Sequence, residues 1–153
     1  MEVSGMDVKR YLKIQEGEVK ENGNHKPYRC PSGALSIGWG HNLDINGISD
    51  GIANLLLDQD LGDAVRAAEA LVANFAELND VRRCVVISMI FQLGETGFRK
   101  FRKTIGHIEA QNFYMAAVEM RDSKWYRDLR KWSGGNWCRG DREAEMMRTG
   151  EWA

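Results

Sequence analysis

Residues 28–43 read YRCPSGALSIGWGHNL and decide the fold class of this chain. A Pro-Ser-Gly turn precedes apolar residues at alternating positions, among them Leu35 and Ile37, and this alternation is the period of a β-strand. Upstream, the pair Asn22-Gly23 is the strongest short-range signal for a hairpin. The pattern therefore predicts a small, glycine-rich antiparallel sheet over residues 18–40.

The sequence on both sides of this sheet has the apolar spacing of helices. A short helix follows a capping signal at Ser4 and ends near Glu16. Ser49 is the predicted cap of a helix running through residues 52–75, long enough to join two lobes. Residues 81–93 are apolar on nearly all faces, as in a buried central helix. Shorter helices are predicted over residues 98–110, 112–121 and 123–131, and from about residue 140.

These elements predict an α+β fold in a chain of 153 residues, the length of one domain. We expect a single domain made of an N-terminal lobe over residues 1–60, which contains the sheet and the catalytic residues, and an all-helical lobe over residues 61–153. A long helix joins the two lobes in this interpretation.

The amino-acid composition excludes few classes of function. The chain has 21 basic and 22 acidic residues, so its net charge gives no reason to expect a nucleic-acid partner. The three cysteines are expected to be reduced thiols, and no Cys or His spacing is typical of a metal site. No apolar run is long enough to span a bilayer, and the N-terminus lacks a signal-peptide pattern. We therefore expect no stable membrane association and no export route of its own.

A carboxyl group at a helix end, facing polar groups on a sheet, suits the hydrolysis of a glycosidic bond. Such a reaction needs a proton donor for the leaving oxygen and a second group that binds or activates water. The negative end of the helix dipole disfavours an ionised carboxyl, which favours a donor in that place. Glu16 with Cys30 and Ser36 fits this outline.

The chain resembles the phage-type lysozymes, or endolysins, of glycoside hydrolase family 24. The resemblance lies in LKIQEG and YRCPSGALSIGWGHNL, and continues in order through GISDGIANLLLDQDL, DAVRAA, VRRCVVISMIFQLGETGF, AAVEMRDSKWY and RTGEW. It implies a lysozyme-like fold and a muramidase that cleaves the β-1,4 bond of peptidoglycan with inversion and without a cofactor or metal. It also implies that Glu16 is the general acid, with Cys30 and Ser36 in the second and third catalytic positions.

Two features depart from the family pattern. Ser36 replaces a threonine, which keeps the hydroxyl but loses the methyl group that restricts χ1. The family has its tyrosine seven residues after the acid, whereas Tyr28 lies twelve residues after Glu16 and seven after Glu21. Either Glu21 is the acid, or residues 20–24 lengthen a hairpin after Glu16. We favour Glu16, because an apolar helix precedes it and Gly17 follows it.

The resemblance also implies a substrate site and two positioning residues. His41 and Arg139 are the residues expected to position the acid, and the alignment of Arg139 is complicated by a long segment at 127–138. The residues expected to bind the glycan are Asn42, Phe91, Gln92, Thr104 and Glu119.

Three functions remain open at this point. The first is an active, monomeric endolysin that accumulates in the host cytoplasm and reaches the periplasmic wall through a separate pore. The second is a wall-binding module that kept the fold without the chemistry. The third is an enzyme of the same fold that acts on chitosan-like or other glycans.

Overall fold

A computed structural model of the chain describes residues 2–3 and 6–153. The chain divides into two compact units, Met1–Leu55 and Leu56–Ala153. The described β-strands belong to the first unit, and helices make up most of the second. The predicted α+β fold class is therefore confirmed.

Short strands and two short helices make up most of the first unit. The turn of one hairpin is formed by Asn22 and Gly23, both at positive φ (50° and 82°), which is the pattern of the tight turn predicted there. The elements are β1 (Glu2–Val3), β2 (Met6–Asp7), α1 (Val8–Glu16), β3 (Lys20–Glu21), β4 (Asn24–His25), β5 (Tyr28–Arg29), β6 (Leu35–Ile37), β7 (His41–Asn42), α2 (Leu43–Asn46) and the start of α3 (Asp50–Leu71).

Helix α1 has defined signals at both ends. The predicted cap at Ser4 lies outside the described residues. The carboxylate of Asp7 accepts a hydrogen bond from the backbone N–H of Lys9 at 3.1 Å and so caps the first turn. Gly17, at φ 65°, ends the helix directly after Glu16.

The strands β5, β6 and β7 form a three-stranded antiparallel sheet with β6 in the middle. Tyr28 pairs with Ser36 on one side, and Ser36 pairs with Asn42 on the other. The sheet that the alternation in residues 28–43 predicts is therefore present, and Ser36 lies at its centre.

The second unit encloses an apolar core. Helix α4 contributes Val85 and Met89, and helix α6 contributes Met120, each with 0% of its surface exposed. Burial of side chains of this size stabilises the fold by about 1.5–3 kcal/mol each. After α3 the elements are a 3₁₀ turn (Phe75–Glu77), α4 (Asp80–Phe98), α5 (Arg102–Glu109), α6 (Phe113–Asp122), α7 (Lys124–Trp132) and α8 (Arg139–Thr149).

Helix α4 is kinked at Gly94, whose φ of 69° and ψ of 164° interrupt the helical backbone. The predicted helix over residues 81–93 ends at this kink, since a positive φ is readily adopted by glycine alone. Helix α3 begins at Asp50, and the hydroxyl of Ser49 accepts from the N–H of Ile52 at 3.4 Å, as expected of a cap. None of the described helices is long and apolar enough to cross a membrane.

Candidate active site

Glu16 lies at the C-terminal end of α1, with its side chain against the turn between β6 and β7. A Cβ atom placed on Gly40 would lie 2.9 Å from Oε2 of Glu16, closer than real Cβ contacts. Gly40 also has a positive φ of 79°, which disfavours any other residue. The glycine therefore makes room for the carboxylate beside the three-stranded sheet.

The rival carboxylate, Glu21, lies in a different environment. It belongs to β3 in the hairpin made by residues 20–25, and 69% of its side chain is exposed. Its contact is an ion pair with Lys26 at 3.7 Å. The structure thus brings Glu16, rather than Glu21, to the turn that follows β6.

Cys30 follows β5 and begins the tight turn that leads to β6. The N–H of Gly33 donates to the carbonyl of Cys30 at 2.8 Å, and the N–H of Cys30 donates to the carbonyl of Ala34 at 3.0 Å. The sulfur lies 2.9 Å from Oγ of Ser32. This turn places the thiol, which is half-buried, at the edge of the sheet.

The turn also changes the acidity of the thiol. Hydrogen bonding from the Ser32 hydroxyl is the largest cause that lowers the pKa of Cys30, followed by the backbone N–H of Ser32. The Ala34 backbone and the Ser36 hydroxyl act in the same direction, while partial burial opposes them. A lowered pKa increases the fraction of thiolate, the form that accepts a proton.

Ser36 is 3% exposed and lies within reach of the Cys30 thiol. The structure therefore brings together the second and third predicted catalytic residues. Ser32 is a partner that the sequence did not point to, because its role depends on the shape of the turn rather than on a motif.

His41 and Asn42 make hydrogen bonds to backbone groups near α2. Nε2 of His41 donates to the carbonyl of Gly47 at 2.6 Å. Oδ1 of Asn42 accepts from the N–H of Ile45 at 3.0 Å and caps α2. Both side chains hold the segment that follows β7. That His41 positions the acid and that Asn42 binds the glycan remain predictions.

Trp39 has neighbours that the sequence did not reveal. Nζ of Lys13 lies 4.0 Å from the centroid of its ring, a cation–π contact. The ring of His25, on β4 of the hairpin, meets Trp39 edge-on at 4.6 Å. The hairpin made by residues 20–25 is thus packed against the turn that contains Gly40.

Two of the predicted glycan-binding residues share one cavity in the second unit. Thr104 and Glu119 line a cavity of about 590 Å³ together with Phe101 and Trp125. Thr104 is 2% exposed, and Glu119 makes an ion pair with Lys103 at 3.5 Å. Within this unit, the structure groups these two polar residues with aromatic rings.

The other predicted binding residues on α4 lie elsewhere. Phe91 is 44% exposed and lines a separate cavity of about 580 Å³, beside Asp63 and Glu95. The amide of Gln92, with its oxygen toward Arg139, accepts from that guanidinium at 3.0 and 3.1 Å. Although Phe91 and Gln92 are adjacent in the sequence, their side chains lie in different places.

Arg139, the predicted positioning residue on α8, also donates to the carboxylate of Glu143 at 2.6 Å. Glu143 and Ser88, which contacts the same carboxylate, were not singled out by sequence. Among the described residues, no group of three or more His, Cys, Asp or Glu side chains could hold a metal ion.

Comparison with known proteins shows the family to which this chain belongs. A family model described as phage lysozyme matches residues 18–142, most of the chain. "Probable T4-type lysozyme 1" of Dictyostelium discoideum is 26% identical over 147 residues, which cover 77% of this chain and 84% of that protein. "Probable T4-type lysozyme 2" of the same organism is 26% identical over 119 residues, covering 72% of this chain and 66% of that protein.

This chain belongs to the phage lysozyme family. It is a lysozyme, a glycoside hydrolase that acts on peptidoglycan. The matched residues begin after Glu16, so the support for that residue as the acid comes from its position beside Gly40.

Proposed function

We propose that this lysozyme hydrolyses the β-1,4 bond between N-acetylmuramic acid and N-acetylglucosamine, with inversion at the anomeric carbon and Glu16 as the general acid. The observation that carries the proposal is the approach of Oε2 of Glu16 to Gly40, beside the sheet that holds Cys30 and Ser36. Glu21 has no comparable support, because it lies on an exposed hairpin.

In this mechanism Glu16 gives its proton to the glycosidic oxygen as the bond to the anomeric carbon breaks. A water molecule attacks that carbon from the opposite face of the sugar ring, as inversion requires. The hydrogen bond from Ser32 lowers the pKa of Cys30 and so favours its thiolate form. The thiolate accepts a proton from the attacking water. The Ser36 hydroxyl, next to that sulfur, helps to orient the water.

The biological setting is part of the same proposal. The enzyme accumulates in the cytoplasm of an infected bacterium as a monomer and reaches the periplasmic wall through a separate pore, where it causes lysis. The support for this setting is the resemblance to endolysins.

Digestion of purified peptidoglycan tests the bond and the stereochemistry. New reducing ends are reduced with borohydride and identified after acid hydrolysis, and we expect muramitol rather than glucosaminitol. Proton NMR of the first product is expected to show the α-anomer, since direct attack by water inverts a β-linkage. Glucosaminitol or a β-anomer contradicts the proposed bond or the proposed inversion.

The acid is tested in the same assay with E16Q and its matched control E21Q. Loss of the acid is expected to lower kcat about 100- to 10,000-fold in E16Q, while E21Q retains the wild-type rate. If E21Q is the inactive variant, Glu21 is the acid. If the wild-type enzyme releases no reducing ends, the hydrolytic function itself is refuted.

A further inference from the structure

The loop between α7 and α8 presents two tryptophan side chains to solvent. Trp132 is 89% exposed and Trp137 is 62% exposed. Leaving indole rings in water is costly, because each carries a large apolar surface. Neither ring belongs to the apolar core of the second unit. Large apolar side chains concentrated on one exposed loop mark a surface that another molecule covers.

Hydrogen bonds close this loop into a compact turn. The side-chain amide of Asn136 donates to the carbonyl of Ser133 at 3.1 Å. The N–H of Gly135 donates to the carbonyl of Arg130 at 2.8 Å. The two tryptophans are the outer neighbours of Ser133 and Asn136, so the bond that joins those two residues also brings the tryptophan backbones close together.

Arg130 fastens the loop to α8. Its Nη2 donates to the carbonyl of Gly135 at 2.6 Å, and its Nη1 lies 3.3 Å from the carboxylate of Asp141. Asp141 is 5% exposed and also accepts from the N–H of Cys138 at 3.0 Å. Because a buried carboxylate already orders the loop, little conformational entropy is lost when a partner binds to it.

The surface around the two rings is basic. Residues 124–142 contain six basic and two acidic residues. Arg127 and Arg130 pair with acids, whereas the exposed Lys131 has no acidic partner among the described residues. Charge complementarity therefore favours a partner that is anionic and that also offers apolar faces to the indole rings.

We propose that Trp132, Trp137 and Lys131 form a second contact surface for peptidoglycan, in addition to the residues that cleave it. The C–H faces of the sugar rings stack on the indoles, and carboxylates of the lactyl groups and stem peptides pair with the lysine. The inference rests on the action of lysozymes on peptidoglycan, and it is independent of which residue is the general acid.

A membrane fits this surface less well than a glycan does. The turn between the two rings, residues 133–136, reads SGGN and has no aliphatic side chain. A segment that lies in a membrane interface buries a continuous apolar face among the lipid chains. Two flat rings separated by a polar turn are instead suited to the alternating sugars of a glycan strand.

The test measures two quantities for each variant. Co-sedimentation with insoluble purified peptidoglycan in the cold gives the affinity, and the initial rate on short soluble glycan fragments reports the cleavage step itself. The variants are W132A, W137A, their double variant and K131E. Y114A is the matched control, because Tyr114 is an aromatic residue on α6, outside the loop, and is 65% exposed.

We expect W132A and W137A each to lower the affinity for peptidoglycan about tenfold, as the loss of an aromatic anchor does. K131E is expected to lower it at low ionic strength and to have less effect at high ionic strength, since salt screens exposed charges. The rate on short fragments should stay at the wild-type value in these variants. Y114A should change neither quantity.

The proposal is overturned if the double variant binds peptidoglycan as tightly as the wild type. It is also overturned if the rate on short fragments falls as much as the affinity, because the rings then belong to the cleavage site. Vesicles of phosphatidylglycerol and phosphatidylethanolamine test the membrane: binding to them alone that depends on the tryptophans contradicts the proposal. A wild-type enzyme that binds peptidoglycan through this loop but releases no reducing ends refutes the hydrolytic function and leaves this proposal standing.

Discussion

The two units of this lysozyme bury their residues to very different degrees. The second unit has an apolar core in which Met89, Phe98 and Met120 are each 0% exposed. Among residues 7–55, the only buried side chain is that of Ser36, which is polar. The free energy of unfolding therefore comes mainly from the helical unit, whereas the candidate catalytic residues lie on a scaffold with little core.

Polar contacts take the place of a core in the first unit. The N–H of Leu35 donates to Oδ2 of Asp44 at 2.7 Å, which ties β6 to α2. His41 holds the end of α2 through the carbonyl of Gly47. Tight turns at glycines with positive φ shape the loops between the strands. Changes in this unit should therefore affect activity more than global stability.

The largest effect on stability is expected from M89A. Removing a side chain that is 0% exposed leaves a cavity and should lower the free energy of unfolding by about 2–5 kcal/mol. I14A is the control in the first unit, because Ile14 is 62% exposed and its loss should change stability by about 0.5 kcal/mol or less. Denaturant unfolding followed by circular dichroism measures both. Equal losses in the two variants would remove the contrast between the units.

The next effect concerns catalysis by the thiol. C30A removes the group proposed to accept a proton from water and should lower kcat about 100-fold. C84A is the matched control, since it removes a thiol from α4 that has no part in the proposed mechanism. A wild-type rate for C30A in the peptidoglycan assay means that Cys30 takes no part in the reaction.

The two thiols should also differ in their pH dependence toward iodoacetamide. Hydrogen bonding by Ser32 lowers the pKa of Cys30, whereas burial and the charge of Glu143 raise the pKa of Cys84. Because the thiolate is the reactive form, the alkylation rate of Cys30 should reach its midpoint below the pH typical of a free thiol, and that of Cys84 above it. Mass spectrometry of each peptide over a pH series gives both curves. The reverse order contradicts the described turn.

The smallest effect is expected at the contact between Asp44 and Leu35. D44A removes a hydrogen bond whose net contribution is about 1 kcal/mol, so local opening of β6 should become about fivefold more frequent. Hydrogen exchange of the Ser36 and Ile37 amides reports this opening, because the Leu35 amide loses its own acceptor in D44A. D58A, an exposed change on α3, serves as control. Unchanged exchange in D44A shows that this contact does not stabilise the sheet.

Much of the fold could be predicted from local signals. Asn22-Gly23 and the alternation around Ser36 predicted strands, because turn residues and the two-residue period act within a few positions. Ser49 predicted the start of α3 for a similar reason. The four-residue helix α2 was not predicted, since so short an element has no period to detect.

The candidate site was harder to predict from the sequence than the fold. The approach of Glu16 to Gly40 depends on how α1 packs on the sheet, and a glycine in a strand-rich segment has many explanations. Ser88 and Glu143 are 55 residues apart, and a glutamate four residues after an arginine is typical of an exposed helix face. Contacts of this kind follow from tertiary packing rather than from spacing.

Gly40 gives the Glu16 carboxylate its place beside the sheet. The most direct measurement compares kcat on peptidoglycan for G40A and G38A. Both glycines have positive φ (79° and 64°), but only at Gly40 would a Cβ meet Glu16, since nothing lies within 4 Å of the corresponding position at Gly38. Both variants should lose about 1 kcal/mol of stability from the backbone. G40A alone should lose about 100-fold in kcat because the acid is displaced. Equal kcat values for the two variants would contradict the account.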